Sequence, residues 1–284
     1  ADQLSKPANK VVEGENLDVT VGSIPLKEKD KASVKQNILK ILKEKYNFEE
    51  EDFVSAEIEV VPAGKARDLG FDRSMVAGYG HDDRVCAYTS LRALLDIKEI
   101  PNKTLCCALV DKEEVGSIGA TGAQSNYFTN VLAELINLEG NFNDLALRRC
   151  LSNSNMLSSD VSAGVDPLYV GVNELKNSAY LGNGIVFNKY TGSRGKGGCN
   201  DANPEYIAKL RKILDDNKIN YQTAELGKVD QGGGGTIAYI LSNLNMNVID
   251  AGIAVLSMHA PLEVVSKVDV YEAYKAYIAF LLNA

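Results

Sequence analysis

From about residue 70 onward, the sequence alternates between apolar strand-like runs and amphipathic helix-like segments, and this pattern limits the fold most. The strand-like runs cover 104–110, 155–160, 185–187 and 248–256, and the helix-like segments cover 85–97, 125–138, 204–217, 236–244 and 268–282. Strands that alternate with helices form a largely parallel sheet, because each parallel connection needs a crossover. The sequence therefore predicts an α/β three-layer sandwich with a mostly parallel central sheet in residues 66–284.

Residues 1–65 differ in texture from the rest of the chain. Residues 17–21 and 56–61 have the composition and alternation of strands, and Pro62 to Gly64 ends the second run. Between them, apolar side chains share one face of a predicted helix: Val34, Ile38, Leu39, Ile41 and Leu42. This pattern indicates a small α+β module that is incomplete at its front edge.

The composition argues against several classes of function. A net charge of -8 and the lack of a long basic run argue against a nucleic-acid partner. No apolar run approaches the ~20 residues of a membrane span, and the first residues do not resemble a signal peptide. The cysteines are odd in number, and Cys86, Cys106 and Cys107 lie in apolar settings, so we expect reduced core thiols in a cytoplasmic protein.

Three acidic side chains follow the apolar run 104–110 in the segment Asp111-Lys-Glu-Glu-Val-Gly116. Two carboxylates about 4 Å apart repel by about 4 kcal/mol at an effective dielectric of about 20, so such groups protonate, separate or bind a cation. At the end of an extended strand, Glu113 and Glu114 would point to opposite faces and perform different tasks. A solvated acidic turn is the alternative interpretation.

Positions with metal-binding chemistry share one context: each follows an apolar strand or precedes a helix, where open α/β sheets bind their ligands. They are Asp82, the pair Glu113 and Glu114, Asp160 and His259. Carboxylates and imidazole suit a catalytic metal, with zinc as the default and cobalt or manganese as options, and a bridging Asp would build a two-metal hydrolytic centre. Each also has an ordinary interpretation: Asp82 as a helix N-cap, Asp160 as a turn residue and His259 as a core histidine.

Four motifs occur in series along the chain. They are Gly78-Tyr-Gly-His-Asp-Asp-Arg-Val-Cys-Ala87, Asp111-Lys-Glu-Glu-Val-Gly116 with Gly122-Ala-Gln-Ser125, Leu157-Ser-Ser-Asp160 and Ser257-Met-His-Ala260. Their order and spacing resemble the family of aspartyl aminopeptidase and vacuolar aminopeptidase I, and the resemblance extends over the whole sequence. It implies a zinc-exopeptidase fold and a dinuclear zinc aminopeptidase.

The resemblance also implies a role for each matching residue. Asp82 would bridge the two zinc ions, Glu114 and His259 would complete one of them, and Asp160 would bind the other. Glu113 would be the general base that takes a proton from the attacking water and passes it to the leaving amine. This assignment agrees with the different tasks expected for the two adjacent glutamates.

The sequence departs from the family at two places. The family carries an earlier His-x-Asp motif, whose His would share a metal with Asp160, and a Pro-His-Leu histidine that reaches a neighbouring subunit's site; neither occurs here. The family's Pro-His-Leu would fall just before Ala1, so we expect an upstream segment outside this sequence. As written, the second metal lacks a ligand, and His81 beside Asp82 is an alternative source of it.

The resemblance assigns the front module as well. The family's catalytic domain is interrupted by an inserted domain that makes dimers and helps to build a twelve-subunit shell. Residues 1–65 resemble the latter half of that inserted dimerisation domain, and residues 66–284 resemble the catalytic domain. A homo-oligomer of dimers assembled into a dodecamer is therefore expected.

Two glycine-rich segments are candidates for substrate contacts. Residues 192–198 lack the spacing of a phosphate-binding loop, so either a flexible basic loop or a substrate loop with Lys189, Arg194 or Lys196 is indicated. Residues 232–235 precede a predicted helix, where the amides of Gly233 and Gly234 would meet a substrate carbonyl or carboxylate. A tight turn is the alternative for this second segment.

Together these features predict a cytoplasmic, metal-dependent aminopeptidase that removes N-terminal residues from peptides. Two other functions stay open: a structural subunit that keeps the shell without the chemistry, and a dimetal amidohydrolase that acts on a non-peptide amide. The preferred N-terminal residue, acidic or neutral, is equally open.

Overall fold

The computed structural model describes residues 2–26, 33–194, 196–228, 230 and 233–284. Its helices are α1 (Ser33–Tyr46), α2 (His81–Asp96), α3 (Tyr127–Leu138), α4 (Asp144–Ser152), α5 (Pro204–Asp216), α6 (Ala238–Ser242) and α7 (Lys267–Asn283). Its strands are β1 (Arg67–Leu69), β2 (Met75–Gly78), β3 (Asn155–Ser158), β4 (Ser162–Ala163), β5 (Ile185–Asn188), β6 (Tyr190–Ser193), β7 (Gly197–Asp201), β8 (Tyr221–Thr223), β9 (Asn247–Gly252), β10 (Ala254–Leu256) and β11 (Glu263–Ser266). The chain divides into two compact units, Ala1–Val61 and Pro62–Ala284.

The first unit contains α1 and several short 3₁₀ turns. The helix predicted around residues 34–42 is confirmed as part of α1. The strands predicted at 17–21 and 56–61 are wrong, because the described residues of this unit contain no strand. Apolar side chains in both segments are exposed, with Val21 at 71% and Val60 at 70%. An alternating run forms a strand only where a neighbouring strand supplies backbone hydrogen bonds.

The second unit is built on two sheets and a hairpin. The five-stranded sheet has the order β1-β2-β11-β10-β4, the four-stranded sheet has the order β3-β9-β5-β8, and β6 pairs with β7. In the four-stranded sheet two of the three pairs are parallel, and in the five-stranded sheet only β10 and β4 are parallel. The predicted α/β class is confirmed, with a mixed arrangement of strands.

Apolar side chains cover both faces of β9. Ile249 and Ala251 belong to the main core, together with buried residues of α2, α5 and α7. Val248 instead packs with Leu151 of α4 and Leu241 of α6. Successive strand residues point to opposite faces, so helices cover this sheet on both sides. The result is a layer of sheet between two layers of helices, as the alternation predicts.

The predicted amphipathic helix that starts at Pro204 is confirmed as α5. Tyr206, Leu210, Ile213 and Leu214 are all buried. At the helix start, Asn203 Oδ1 accepts a hydrogen bond from Glu205 N at 2.9 Å, and Pro204 occupies a position that needs no amide donor. Among the described residues, no helix combines the length and apolar character that crossing a membrane requires.

The strand predicted at 104–110 is wrong. These residues have no regular secondary structure, and Leu109 and Val110 are 58% and 40% exposed. Within the described part of the chain, no backbone hydrogen bond joins 104–110 to a neighbouring strand. The apolar run therefore lies at the surface of this unit, and the acidic segment after it lies in a turn.

Candidate metal centre

Asp82 lies where β2 gives way to α2. β2 ends at Gly78 and α2 begins at His81, which places Asp82 in the first turn of the helix. Gly80 in the link has a φ of 73°, a left-handed backbone that glycine adopts without strain. The Asp82 side chain is only 12% exposed, and its carboxylate has charged neighbours from other parts of the chain.

His259, Glu114 and Asp82 come together although they are far apart in sequence. His259 Nε2 lies 3.0 Å from Asp82 Oδ2 and 3.3 Å from Glu114 Oε1. One ligand atom from each of these residues lies within 4.8 Å of the other two. Side chains of Glu114 and His259 are 63% and 61% exposed, so this group opens to solvent on one side. The nitrogen and oxygen donors suit zinc.

A second group of carboxylates shares Asp82 with the first. Oxygens of Asp82, Asp83 and Asp160 lie within 4.8 Å of one another. Asp160 follows β3, and Asp83 is the neighbour of Asp82 in the first turn of α2. Asp83 Oδ1 is buried without a hydrogen-bond partner among the described residues. Asp83 was not among the candidates found in the sequence, where an acidic pair at a helix start has an ordinary explanation.

The electrostatics of this cluster disfavour its charged forms. Burial raises the pKa of Asp82 to about 6, and the Glu114 carboxylate adds to the rise. Burial raises the pKa of Asp83 to about 8. Burial and then the charge of Asp83 raise the pKa of Asp160 well above its ordinary value. Carboxyl groups that repel one another at low solvent exposure are stabilised in the charged form by a bound cation, so these residues fit a metal site.

Glu113 and Glu114 lie in a 3₁₀ turn, Glu113–Val115, and not at the end of a strand. The turn is tied to its own loop, because Ser117 N donates to Lys112 O at 2.7 Å and Gln124 Nε2 donates to Gly116 O at 2.7 Å. Glu114 meets His259, whereas the Glu113 charge contributes to the raised pKa of both Asp83 and Asp160. Burial, followed by the charge of Glu114, raises the pKa of Glu113 itself.

His81 does not belong to either metal-binding group within the described residues. Its Nε2 lies 3.2 Å from the backbone oxygen of Val76. Burial lowers the pKa of His81, so the ring favours its neutral form. This arrangement gives no support to His81 as the missing ligand.

The candidate substrate residues lie around the β6–β7 hairpin. Gly233 and Gly234 line a small cavity with residues that include Tyr190, Gly192 and Glu225. Gly192 N donates to Gly234 O at 2.8 Å, so the glycine segment packs on β6. The Lys189 side chain is 50% exposed and pairs with Asp201, and Gly232 lies outside the described residues.

A buried glutamate behind the centre was also missed in the sequence. Glu263, in β11, is 2% exposed. Its Oε2 accepts a hydrogen bond from Asp82 N at 2.9 Å, and its Oε1 accepts one from His259 N at 2.8 Å. The sequence around Glu263 predicts only a short strand. It gives no sign of the contact with Asp82, because the two residues are far apart in the chain.

Comparison with known proteins finds one family along almost the whole chain. The family model described as "Aminopeptidase I zinc metalloprotease (M18)" matches residues 2–281. A probable M18 family aminopeptidase 1 of Clostridium acetobutylicum is 65% identical over 284 residues, which are 100% of this chain and 61% of the relative. The chain thus spans about 61% of the length of this curated relative.

Solved structures show the same likeness. The crystal structure of aminopeptidase I from Clostridium acetobutylicum is 63% identical with a TM-score of 0.91, and the match covers 99% of this chain and 60% of that one. An M18-family aminopeptidase from Thermotoga maritima is 46% identical with a TM-score of 0.88, and its match covers 93% of this chain and 58% of that one. The zinc-exopeptidase type of fold expected from the motifs is therefore confirmed.

Proposed function

Because the chain belongs to the M18 family of zinc aminopeptidases, we propose that it carries the metal centre of an aminopeptidase that hydrolyses the N-terminal peptide bond. The observation that carries the proposal is the position of Asp82. Its carboxylate belongs to both groups of potential ligands, one with Glu114 and His259 and the other with Asp160. A single carboxylate shared in this way would suit a two-metal hydrolytic centre.

The proposed centre would hold two zinc ions, with cobalt or manganese as possible replacements. Asp82 would be shared by the two ions, Glu114 and His259 would hold one, and Asp160 would hold the other, beside Asp83. Bound zinc would supply Lewis-acid polarisation of the scissile carbonyl and would lower the pKa of a water molecule. The exposed side of Glu114 and His259 leaves room for a peptide to approach.

Glu113 is the proposed general base. Its side chain is partly buried next to Glu114, and both burial and that neighbour raise its pKa. A raised carboxyl pKa brings the group closer to neutral pH, where it can both accept and release a proton. Glu113 would take the proton of the attacking water and give it to the leaving amine, while Glu114 stays a ligand.

Gly233, Gly234 and Lys189 are proposed substrate contacts. The cavity beside Gly233 and Gly234 also contains Glu225 and backbone groups of β6, which offer polar partners to a peptide. Burial raises the pKa of Glu225, whereas the Lys189 ammonium lowers it. Lys189 therefore lies close enough to Glu225 to influence its charge beside this cavity. The preferred N-terminal residue would be decided by contacts of this kind.

We also propose a cytoplasmic homo-oligomer in which dimers assemble into a dodecamer. Residues 1–65 would be the latter half of an inserted dimerisation domain and residues 66–284 the catalytic domain. Free cysteines support a reducing compartment, and exposed apolar side chains in the first unit, such as Val21 and Val60, support burial against another subunit. A solution mass equal to one chain would contradict the oligomer.

The activity is tested with purified protein loaded with zinc, cobalt or manganese. We expect hydrolysis of aminoacyl-anilides and no hydrolysis of the corresponding N-acylated compounds, because an aminopeptidase requires a free N-terminal amine. Cleavage of acylated compounds alone would identify an amidohydrolase instead. An assembled, metal-loaded protein without either activity would identify a structural subunit and overturn the proposal.

A further inference from the structure

Glu263 connects the two backbone segments that carry Asp82 and His259. Each of its carboxylate oxygens accepts one amide hydrogen, from Asp82 N at 2.9 Å and from His259 N at 2.8 Å. Both donors are the backbone amides of proposed ligands to the same ion. A residue that fixes these two amides also fixes the points from which the two side chains extend.

The His259 segment has a backbone that needs such support. Ser257 and His259 have φ values of 58° and 66°, in the left-handed region that residues with a Cβ rarely adopt. Such a backbone is strained and persists only where the surrounding structure holds it. Within this turn, the Ser257 carbonyl accepts a hydrogen bond from Ala260 N at 2.9 Å. From outside the turn, the Glu263 carboxylate accepts a hydrogen bond from the His259 amide.

Glu263 is itself held firmly. It is 2% exposed, and its backbone in β11 pairs with Gly78 at the end of β2. β2 leads into the turn of Asp82, and β10, the other neighbour of β11, leads into the turn of His259. The glutamate therefore lies between the two elements that deliver the ligands, and its charge adds to the negative potential around Asp82.

We propose that Glu263 is a positioning residue that sets the zinc affinity of the site formed by Asp82, Glu114 and His259. The inference rests on the proposed function, since it takes those residues as zinc ligands. Glu263 belongs to neither group of potential ligands among the described residues, and it would act through the Asp82 and His259 amides. Partners of metal ligands typically contribute a factor of about 10–100 to metal affinity.

The test measures zinc dissociation constants of the purified protein by competition with a chromophoric chelator. Glu263→Ala removes both acceptors, and Glu263→Gln keeps the shape but turns an amide NH₂ toward one of the two N–H groups. Glu272→Gln is the matched control. Glu272, in α7, is also buried, and its carboxylate accepts a hydrogen bond from Asn220 N at 2.9 Å. Thermal unfolding of each metal-free variant separates loss of fold from loss of affinity.

We expect zinc to bind about 10–100-fold more weakly at one site of Glu263→Ala, with a smaller loss in Glu263→Gln and no change in Glu272→Gln. If Glu263→Gln is destabilised like Glu272→Gln but binds zinc as the parent does, Glu263 is only structural and the inference is overturned. If the parent protein itself binds no zinc, the proposed function fails together with it. Zinc binding by the parent that is lost on substituting His259 or Asp82, but not Glu263, rejects the inference alone.

Discussion

Glu113 and Glu114 are adjacent residues with different surroundings. Glu114 Oε1 lies 3.3 Å from His259 Nε2, while the charge of Glu113 acts on Asp83 and Asp160. The sequence predicted the division of tasks from a strand that would point the two side chains to opposite faces. In the structure the two side chains have different neighbours because they lie in a 3₁₀ turn, in which successive side chains are about 120° apart.

Substitution of Glu113 tests the proposed role in proton transfer separately from metal binding. In Glu113→Gln we expect zinc content to stay at the parent level, because Glu113 is not a proposed ligand, and turnover to fall by about 10²–10⁴-fold. Zinc analysis and steady-state hydrolysis of an aminoacyl-anilide measure the two quantities. Glu134→Gln, at an exposed position of α3, is the control that keeps full activity. Unchanged turnover in Glu113→Gln would remove the role of general base.

Asp83 and Glu263 could not be identified from the sequence. In the sequence, Asp82, Glu114 and His259 follow strand-like runs or precede a predicted helix, and their chemistry marks them as candidates. Asp83 has the same chemistry, but adjacency to Asp82 does not tell which oxygens converge on Asp160. Glu263 functions through contacts across the fold, and a single buried glutamate in a short strand gives no local signal of them.

At the scale of elements, Asp269 ties the start of α7 to the loop before β5. Its Oδ2 accepts a hydrogen bond from Gly182 N at 2.7 Å, and its Oδ1 accepts one from Gly184 N at 2.7 Å. The side chain is fully buried. Gly184 has a φ of 91°, and a Cβ there would lie 2.0 Å from Asn220 O, so the loop has little freedom to find other partners.

Removal of this carboxylate should destabilise the fold more than it affects the metal site. We expect Asp269→Ala to lower the free energy of unfolding by about 2–5 kcal/mol, because the buried Gly184 amide and the partly buried Gly182 amide both lose a charged acceptor. Asp269→Asn retains one acceptor and should lose less. Urea unfolding measures both, with Asp216→Ala as the surface control, since its ion pair with Lys212 is exposed to solvent and contributes little to stability. Equal stability of Asp269→Ala, Asp269→Asn and Asp216→Ala would contradict the role of Asp269 in holding the start of α7 to the loop before β5.

Elements with a packed face were predicted best. The α5 face is buried as its spacing indicates, and β3, β5 and β9 occur where apolar runs predict them. The runs at 17–21, 56–61 and 104–110 have equally strand-like sequences but no ladder partner among the described residues. Strand formation depends on a second segment as well as on local composition, and that dependence is not visible in one stretch of sequence.

At the scale of the whole molecule, the buried carboxyl groups of the candidate metal centre should make the stability of the protein depend on pH. Asp82 and Asp83 have pKa values raised to about 6 and about 8, mainly by burial. The ordinary pKa of an aspartate is about 3.9, so in the metal-free protein these carboxyl groups bind protons more tightly in the folded state than in the unfolded state. Their stabilising contribution is complete below about pH 4 and is lost as the pH rises through 6 and 8.

The metal-free protein should therefore lose stability between about pH 4 and 8, while zinc should remove that loss by pairing with the ionised carboxylates. We expect the gap between zinc-loaded and chelator-treated protein to widen by several kcal/mol over this range, or by several degrees or more in Tm. Thermal unfolding at each pH, with and without zinc, measures the gap, and groups remote from the centre cancel in the difference. Asp83→Asn provides the internal control, because it removes the group with the higher of the two pKa values. The stability of the metal-free variant should therefore change less with pH above pH 6. Parallel curves for the two forms of the parent protein would show that the buried carboxyl groups are not coupled to metal binding.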